Sequence, residues 1–172
     1  HVEAAANIDA VAFDKTGTLT RGETQLMDVF VRDGLADESL TADELLSLAA
    51  SVQARSEHHL ARATVSEAEA RALDVPDARR FQSEAGKGVR ADVDDGTIHI
   101  GNRSYVETVL EDAAIEGLEP GLDRLRTLEA EGKTSVLVAR EHAGNATVLG
   151  WLAFTDTVRP GAAEMIEDLR SL

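Results

Sequence analysis

Residues 79–102, "RRFQSEAGKGVRADVDDGTIHIGN", alternate apolar and polar side chains and are interrupted by glycine-containing turns. A period of two over short runs reads as strands with one buried face, here two or three of them. Asp95-Gly96 carries the hairpin signal, since glycine accepts the positive φ of a tight turn. Consecutive strands joined by tight turns run antiparallel, so this segment commits the chain to an antiparallel sheet that something else must cover.

The flanking segments supply the cover. From Thr41, "TADELLSLAASVQA" places apolar residues at helical spacing, with Thr41 as N-cap and Glu44 completing a capping box. The same periodicity predicts helices over about 59–73, 103–112 and 122–131, and a last one begun near Pro160. Further strands are predicted at 25–31, at "KTSVLVAR" and at "TVLGWLAFTD", the last two joined by a turn around Gly144-Asn145. Residues 8–13, "IDAVAF", read as a short buried strand ending at Asp14, and the region of Gly17 and Gly22 reads as loop. The 172 residues suit one ordinary domain or two small ones. With aromatics at only 3%, the core must rest on Val, Leu, Ile and Ala.

Charge and composition exclude several function classes. A formal charge of -15 repels nucleic acid and anionic membrane surfaces, so neither is expected as a partner. The absence of cysteine excludes disulfides and thiol chemistry. No apolar run approaches the roughly 18 to 20 residues that cross a bilayer. Lys15, Lys87 and Lys133 are the only lysines. Such an acidic, lysine-poor surface resembles those of salt-loving organisms, with compositional drift as the alternative.

"FDKTGTLT" at 13–20 holds the reactive candidates. An aspartate at the carboxyl end of a strand in an α/β sheet stands where ligands bind. Its carboxylate can attack a phosphoryl group to form an acyl phosphate, with Lys15 neutralising developing charge. An isolated aspartate there would merely cap a turn. The whole string DKTGTLT, followed by Gly22, resembles the phosphorylation signature of P-type ATPases, a branch of the haloacid dehalogenase superfamily. The resemblance implies that Asp14 accepts the phosphoryl group, and that Asp14 and the Thr16 carbonyl hold Mg2+. Phosphatases of that superfamily carry a second Asp where this chain has Thr16, so the aspartyl phosphate is expected to persist, as a pump requires.

"SEHHL" at 56–60 resembles the Ser-Glu-His-Pro-Leu signature of the nucleotide-binding domain of heavy-metal-transporting P-type ATPases. That resemblance makes Glu57 and His58 site residues, with His58 packing on adenine. Two adjacent histidines on a helix point about 100° apart, which argues against a metal site. His59 stands where the family has Pro, which loosens the presentation of His58. Gln53 stands where the family has a Glu that contacts the adenine amino group; its amide still accepts that bond, without the charge. Weaker or less selective adenine binding is expected. Gly86, Gly88 and Val89 match the family's nucleotide loop, the glycines admitting the backbone close to the ligand, and Gly101-Asn102 matches the next pocket element.

In sum the resemblance implies an α+β nucleotide-binding domain over 24–150, an antiparallel sheet flanked by helices. It is inserted into an incomplete α/β, Rossmann-like haloacid dehalogenase phosphorylation domain made of 1–23 and 151–172. Chain crossings near Gly22 and Phe154 are expected to form a hinge. The implied ligands are ATP and Mg2+, and the implied partners are the remaining phosphorylation, actuator and transmembrane domains of the same pump. Its place would be the cytoplasmic portion of a plasma-membrane protein, unable alone to phosphorylate Asp14 efficiently or to bind the transported metal. "FTDTVRP" leans toward the zinc, cadmium and cobalt branch over copper. The alternatives are a haloacid dehalogenase-type phosphatase, a potassium-transporting P-type ATPase and a non-catalytic acidic binding module.

Overall fold

The computed structural model describes residues 11–13, 18–35, 39–109 and 114–170. The chain divides into two compact units: His1–Glu23 with Asp156–Leu172, and Thr24–Thr155. Strands β1 (Thr20–Val31) and β7 (Asn145–Val158) each run through a unit boundary.

The larger unit is built on the antiparallel meander read from the sequence: β2 (Arg79–Glu84), β3 (Gly88–Val93) and β4 (Gly96–Gly101). β4 then pairs antiparallel with β6 (Thr134–His142), and β6 with β7, giving the order β1-β7-β6-β4-β3-β2. Alternation along the strands points residues to opposite faces. On one face Val89, Ala91, Ile98, Ile100 and Val138 pack against Leu45, Leu48 and Val52 of α1 (Ala42–Gln53) and Leu60 of α2 (His59–Ala70). On the other, Leu137, Ala139, Val148 and Trp151 meet Tyr105 and Val106 of α3 (Arg103–Val109) and Leu122, Leu125 and Leu128 of α4 (Leu118–Ala130). Apart from Tyr105, Trp151 and Phe154, the large buried hydrophobic side chains are aliphatic, as the aromatic content required. The capping box on α1 is present: the Thr41 hydroxyl accepts the Glu44 N–H at 3.2 Å, and the Thr41 N–H donates to Glu44 Oε2 at 2.7 Å.

Several expectations are corrected. The β3–β4 hairpin turns at Asp94 and Asp95, with Asp94 at φ +54°, while Gly96 is already in β4 opposite Val93. The β6–β7 turn is likewise one residue earlier, Ala143-Gly144, both at positive φ. Turn chemistry identifies the hairpin, and cross-strand register decides which residue stands at its tip. The last helix, α5 (Ala162–Arg170), starts after Pro160 because Gly161 lies at φ +81° and interrupts the helical path. β5 (Ala114–Glu116) has no signature of its own and forms by pairing parallel with the start of β7.

In the smaller unit, the expected loop around Gly22 is strand. The Arg159 N–H donates to the Leu19 carbonyl at 2.9 Å, and Arg159 Nε to the Thr20 carbonyl at 3.0 Å. The Thr20 hydroxyl donates to Asp156 at 3.2 Å. Pairing with the end of β7 thus overrides the loop composition. The strand expected at 8–13 is not formed at 11–13, where Val11 and Phe13 are exposed; 8–10 lie outside the described residues. An apolar run becomes a strand only where a neighbour takes its backbone hydrogen bonds.

Candidate functional site

A cavity of about 470 Å³ opens in the larger unit, where the ends of α1, β4 and the starts of α2, β3 and β6 come together. Gln53 ends α1, and the Ser56 N–H donates to its carbonyl at 2.9 Å, closing the turn toward α2. His58 has extended backbone (φ −65°, ψ 144°) and is the N-cap of α2, its Nδ1 accepting the Leu60 N–H at 3.3 Å. In the neutral ring the proton therefore sits on Nε2. Partial burial, and secondarily the neighbouring His59, hold the His58 pKa below its ordinary value. The two imidazoles lie 4.2 Å apart between centroids, not splayed as residues within one helix would be, because His58 precedes the helix. Loosened presentation was expected because His59 stands where the family has Pro; here the ring's own capping bond to the Leu60 N–H orients it.

Across the cavity runs the turn between β2 and β3. Gly86 is at φ +73°, and the Lys87 N–H donates to the Glu84 carbonyl at 3.1 Å. Lys87 Nζ also meets Glu84 Oε1 at 2.7 Å, an exposed pair that contributes little stability. Asn102 ties this turn to α3: Nδ2 donates to the Gly86 carbonyl at 3.1 Å, and Oδ1 accepts the Tyr105 N–H at 2.9 Å. Gly88 and Gly101 are register partners, and both need to be glycine for packing. A Cβ on Gly88 would meet the Ile100 carbonyl and Tyr105 Cγ at 2.6 Å, and one on Gly101 would collide with the Tyr105 ring. Their small size thus serves Tyr105 as well as the cavity.

Leu60, Val89, Ile100 and Val136 supply apolar wall, and Gln53, only 5% exposed, presents an amide that makes no hydrogen bond to another described residue. Glu84 and Lys87 of the β2–β3 turn also line the cavity, and apolar walls with a few convergent polar groups suit a planar ring system with a polar edge. Of the residues singled out in the sequence, Gln53, His58, Gly86, Gly88, Val89, Gly101 and Asn102 line this one cavity; Glu57 is exposed and does not. Asp14, Lys15 and Thr16 lie outside the described residues. The sequence reading missed Thr134, Ser135 and Val136, which also line the cavity. Only the β4–β6 pairing, with Gly101 opposite Leu137, brings them there. Among the described residues no group of three or more His, Cys, Asp or Glu could hold a metal ion, and no helix is long and apolar enough to cross a membrane.

Behind the cavity, His99 is fully buried, with Nε2 3.1 Å from Glu141 Oε2 and Nδ1 3.4 Å from the Tyr105 hydroxyl. Burial drives its pKa below the ordinary value; Glu141 and Asp92 oppose the depression and Arg90 adds to it. The unfolded chain therefore binds the extra proton below about pH 6.5. Stability from this group is complete above that pH and falls as pH drops toward the depressed folded value. Thermal unfolding between about pH 7.5 and 5.5 is expected to show a shallower pH dependence in His99→Gln than in the parent; equal slopes would assign the effect elsewhere.

A profile of the haloacid dehalogenase-like hydrolases matches residues 8–172. The chain is 37% identical over 178 residues to a probable copper-exporting P-type ATPase V of Mycobacterium tuberculosis, covering 99% of this chain and 20% of that protein. A zinc-transporting PIB-type ATPase in its E2.Pi state superposes with a TM-score of 0.68 at 31% identity, covering 91% of this chain and 23% of the other. The isolated N-domain of a copper-transporting P-type ATPase superposes with a TM-score of 0.56 at 26% identity, covering 75% of this chain and 98% of the domain. The chain thus spans about a fifth of the length of the curated relatives it matches. It belongs to the haloacid dehalogenase-like hydrolase family, and its relatives there are heavy-metal P-type ATPases.

Proposed function

We propose that the unit Thr24–Thr155 is an ATP-binding domain and that the chain is part of a heavy-metal-translocating P-type ATPase. The observation that carries this reading is the assembly of three segments distant in sequence, 53–58 with Gln53 and His58, 86–89 and 101–102, around one apolar-walled cavity. Adenine would stack on the neutral His58 ring and present its polar edge to Gln53, with the glycine turn along the nucleotide. Asp14 would be the acceptor: its carboxylate oxygen attacks the γ-phosphorus, forming an acyl phosphate and releasing ADP. Lys15 would offset the developing charge, and Asp14 and Thr16 would hold the Mg2+ that neutralises the phosphates. The transported metal would be bound elsewhere in the pump. Relatives named for copper and for zinc occur alike, so the cargo is not assigned from them.

Calorimetric titration with ATP, alongside turnover of a generic phosphate ester, tests the reading. Saturable ATP binding without ester hydrolysis is the expected result. Ester hydrolysis would favour a phosphatase, and no nucleotide binding a non-catalytic acidic module.

Gln53 sets a further expectation. An amide can accept from the 6-amino group of adenine or, rotated, donate to a 6-oxo group, whereas a carboxylate only accepts. The parent is expected to bind inosine triphosphate within a few-fold of ATP. Gln53→Glu is expected to tighten ATP and to widen the preference by about tenfold or more, because a carboxylate facing the 6-oxo group is left unpaired. Equal or weaker ATP binding by the variant counts against the contact.

A further inference from the structure

The side of β3 and β4 that faces away from the cavity carries an aromatic plate. Val89 and Ile100 belong to the core cluster on the cavity side, whereas Tyr105 belongs to the cluster on the opposite face. Tyr105 does not line the cavity, yet its ring fills the space left by the missing side chains of Gly88 and Gly101, which do. Its backbone N–H is held by Asn102 Oδ1, the same side chain that holds the Gly86 carbonyl, and the Asn102 N–H donates to the Lys87 carbonyl at 3.0 Å. Glycines are the residues with most backbone freedom to lose. A turn holding Gly86 and Gly88 keeps one conformation only if its surroundings restrict it. Here the Lys87 N–H bond to the Glu84 carbonyl closes the turn from within, and the restriction from outside comes from one short segment, Asn102 above and the Tyr105 ring behind.

We propose that Tyr105 is a positioning residue of this site: its ring fixes the wall formed by Gly88 and Gly101 and so holds the 86–89 turn in the shape that binds a nucleotide. For affinity, the inference rests on the ATP-binding reading; for the shape of the turn, it stands on the geometry alone. The ring is the active part. The hydroxyl, 3.4 Å from His99 Nδ1, is at the long limit of a hydrogen bond and adds little. Preorganisation lowers the ordering cost that binding would otherwise meet.

Three variants separate positioning from general stability. Tyr105→Phe keeps the plate, Tyr105→Leu removes it, and Leu128→Ala makes a cavity in the same core cluster away from the turn. ATP affinity and amide hydrogen exchange are measured at a temperature where all three are folded. Tyr105→Leu is expected to weaken ATP about tenfold, with Tyr105→Phe and Leu128→Ala within about twofold of the parent. In the absence of nucleotide, the Lys87 and Asn102 amides should exchange faster in Tyr105→Leu than in Leu128→Ala. Equal affinity loss in Leu128→Ala, or parent-like binding by Tyr105→Leu, overturns the proposal. If the parent binds no ATP, the functional reading fails by itself and exchange decides: selective acceleration at the turn upholds the positioning role, and no selective change removes it.

Discussion

Replacing His58 with alanine is expected to weaken ATP binding by about 5- to 150-fold, the range that follows from about 1–3 kcal/mol for stacking a base on an aromatic ring. The ring lines the cavity, and its depressed pKa keeps it neutral at pH 7, so it offers an uncharged face to an uncharged base. His58 also caps α2, so His58→Ala removes two things at once. His58→Asn separates them, because an asparagine side chain caps well but does not stack. The expected pattern is a similar loss of affinity in both variants, with the unfolding midpoint lowered mainly in His58→Ala, whose lost cap costs about 1 kcal/mol. Parent-like affinity in His58→Asn would mean that the ring does not touch the nucleotide. Acidification should imitate the ring's loss in part, since a proton on Nδ1 removes the acceptor for the Leu60 N–H.

The largest effect on stability is expected at Gly150, in the middle of β7. The β6–β7 register slips between Val138 and Ala139, which face Gly150 and Val148, and Gly150 follows that irregularity. There the neighbouring strand comes close: a Cβ on Gly150 would collide with the Phe30 carbonyl oxygen and stand 2.6 Å from Leu45 Cδ2. Leu45 could rotate, but the Phe30 carbonyl is backbone of β1 and could move only by shifting that strand. Gly150→Ala is therefore expected to cost about 3 kcal/mol, at or above the upper end of ordinary overpacking, read as a drop in the denaturation midpoint. A loss under about 1 kcal/mol would show that β1 shifts freely at this point. Gly144→Ala is a useful contrast, because its turn position has open space around it, and any cost there comes from the positive φ alone.

The helices and hairpins were legible because each carries its own local signal. Thr41 and Glu44 announce the start of α1 wherever it packs, and alternation in 79–102 demands paired strands whatever lies beside them. The boundaries were less legible. Thr20 to Gly22 have loop composition and become strand because β7 and Arg159 just after it supply hydrogen-bond partners, and β5 exists only as an addition to the start of β7. The cavity followed the same division. Its separate pieces were recognisable as short motifs, while the contribution of 134–136 depended on which strand lies next to β4.

The amino-acid sequence by itself determined the family, the alternation of helix and antiparallel strand, and the types of side chain available to a binding site, because these reside in short stretches whose chemistry does not depend on distant neighbours. Only the tertiary structure decided that His58 caps the helix it precedes, that Gly88 and Gly101 are small to admit Tyr105, and that Glu57 stands away from the cavity. The cap is a local contact between His58 and the Leu60 N–H, but the cavity that the ring faces and the fit of Tyr105 against Gly88 join segments apart in the chain. Such contacts are set by strand order and register, which the packing of the whole domain selects and no single segment encodes.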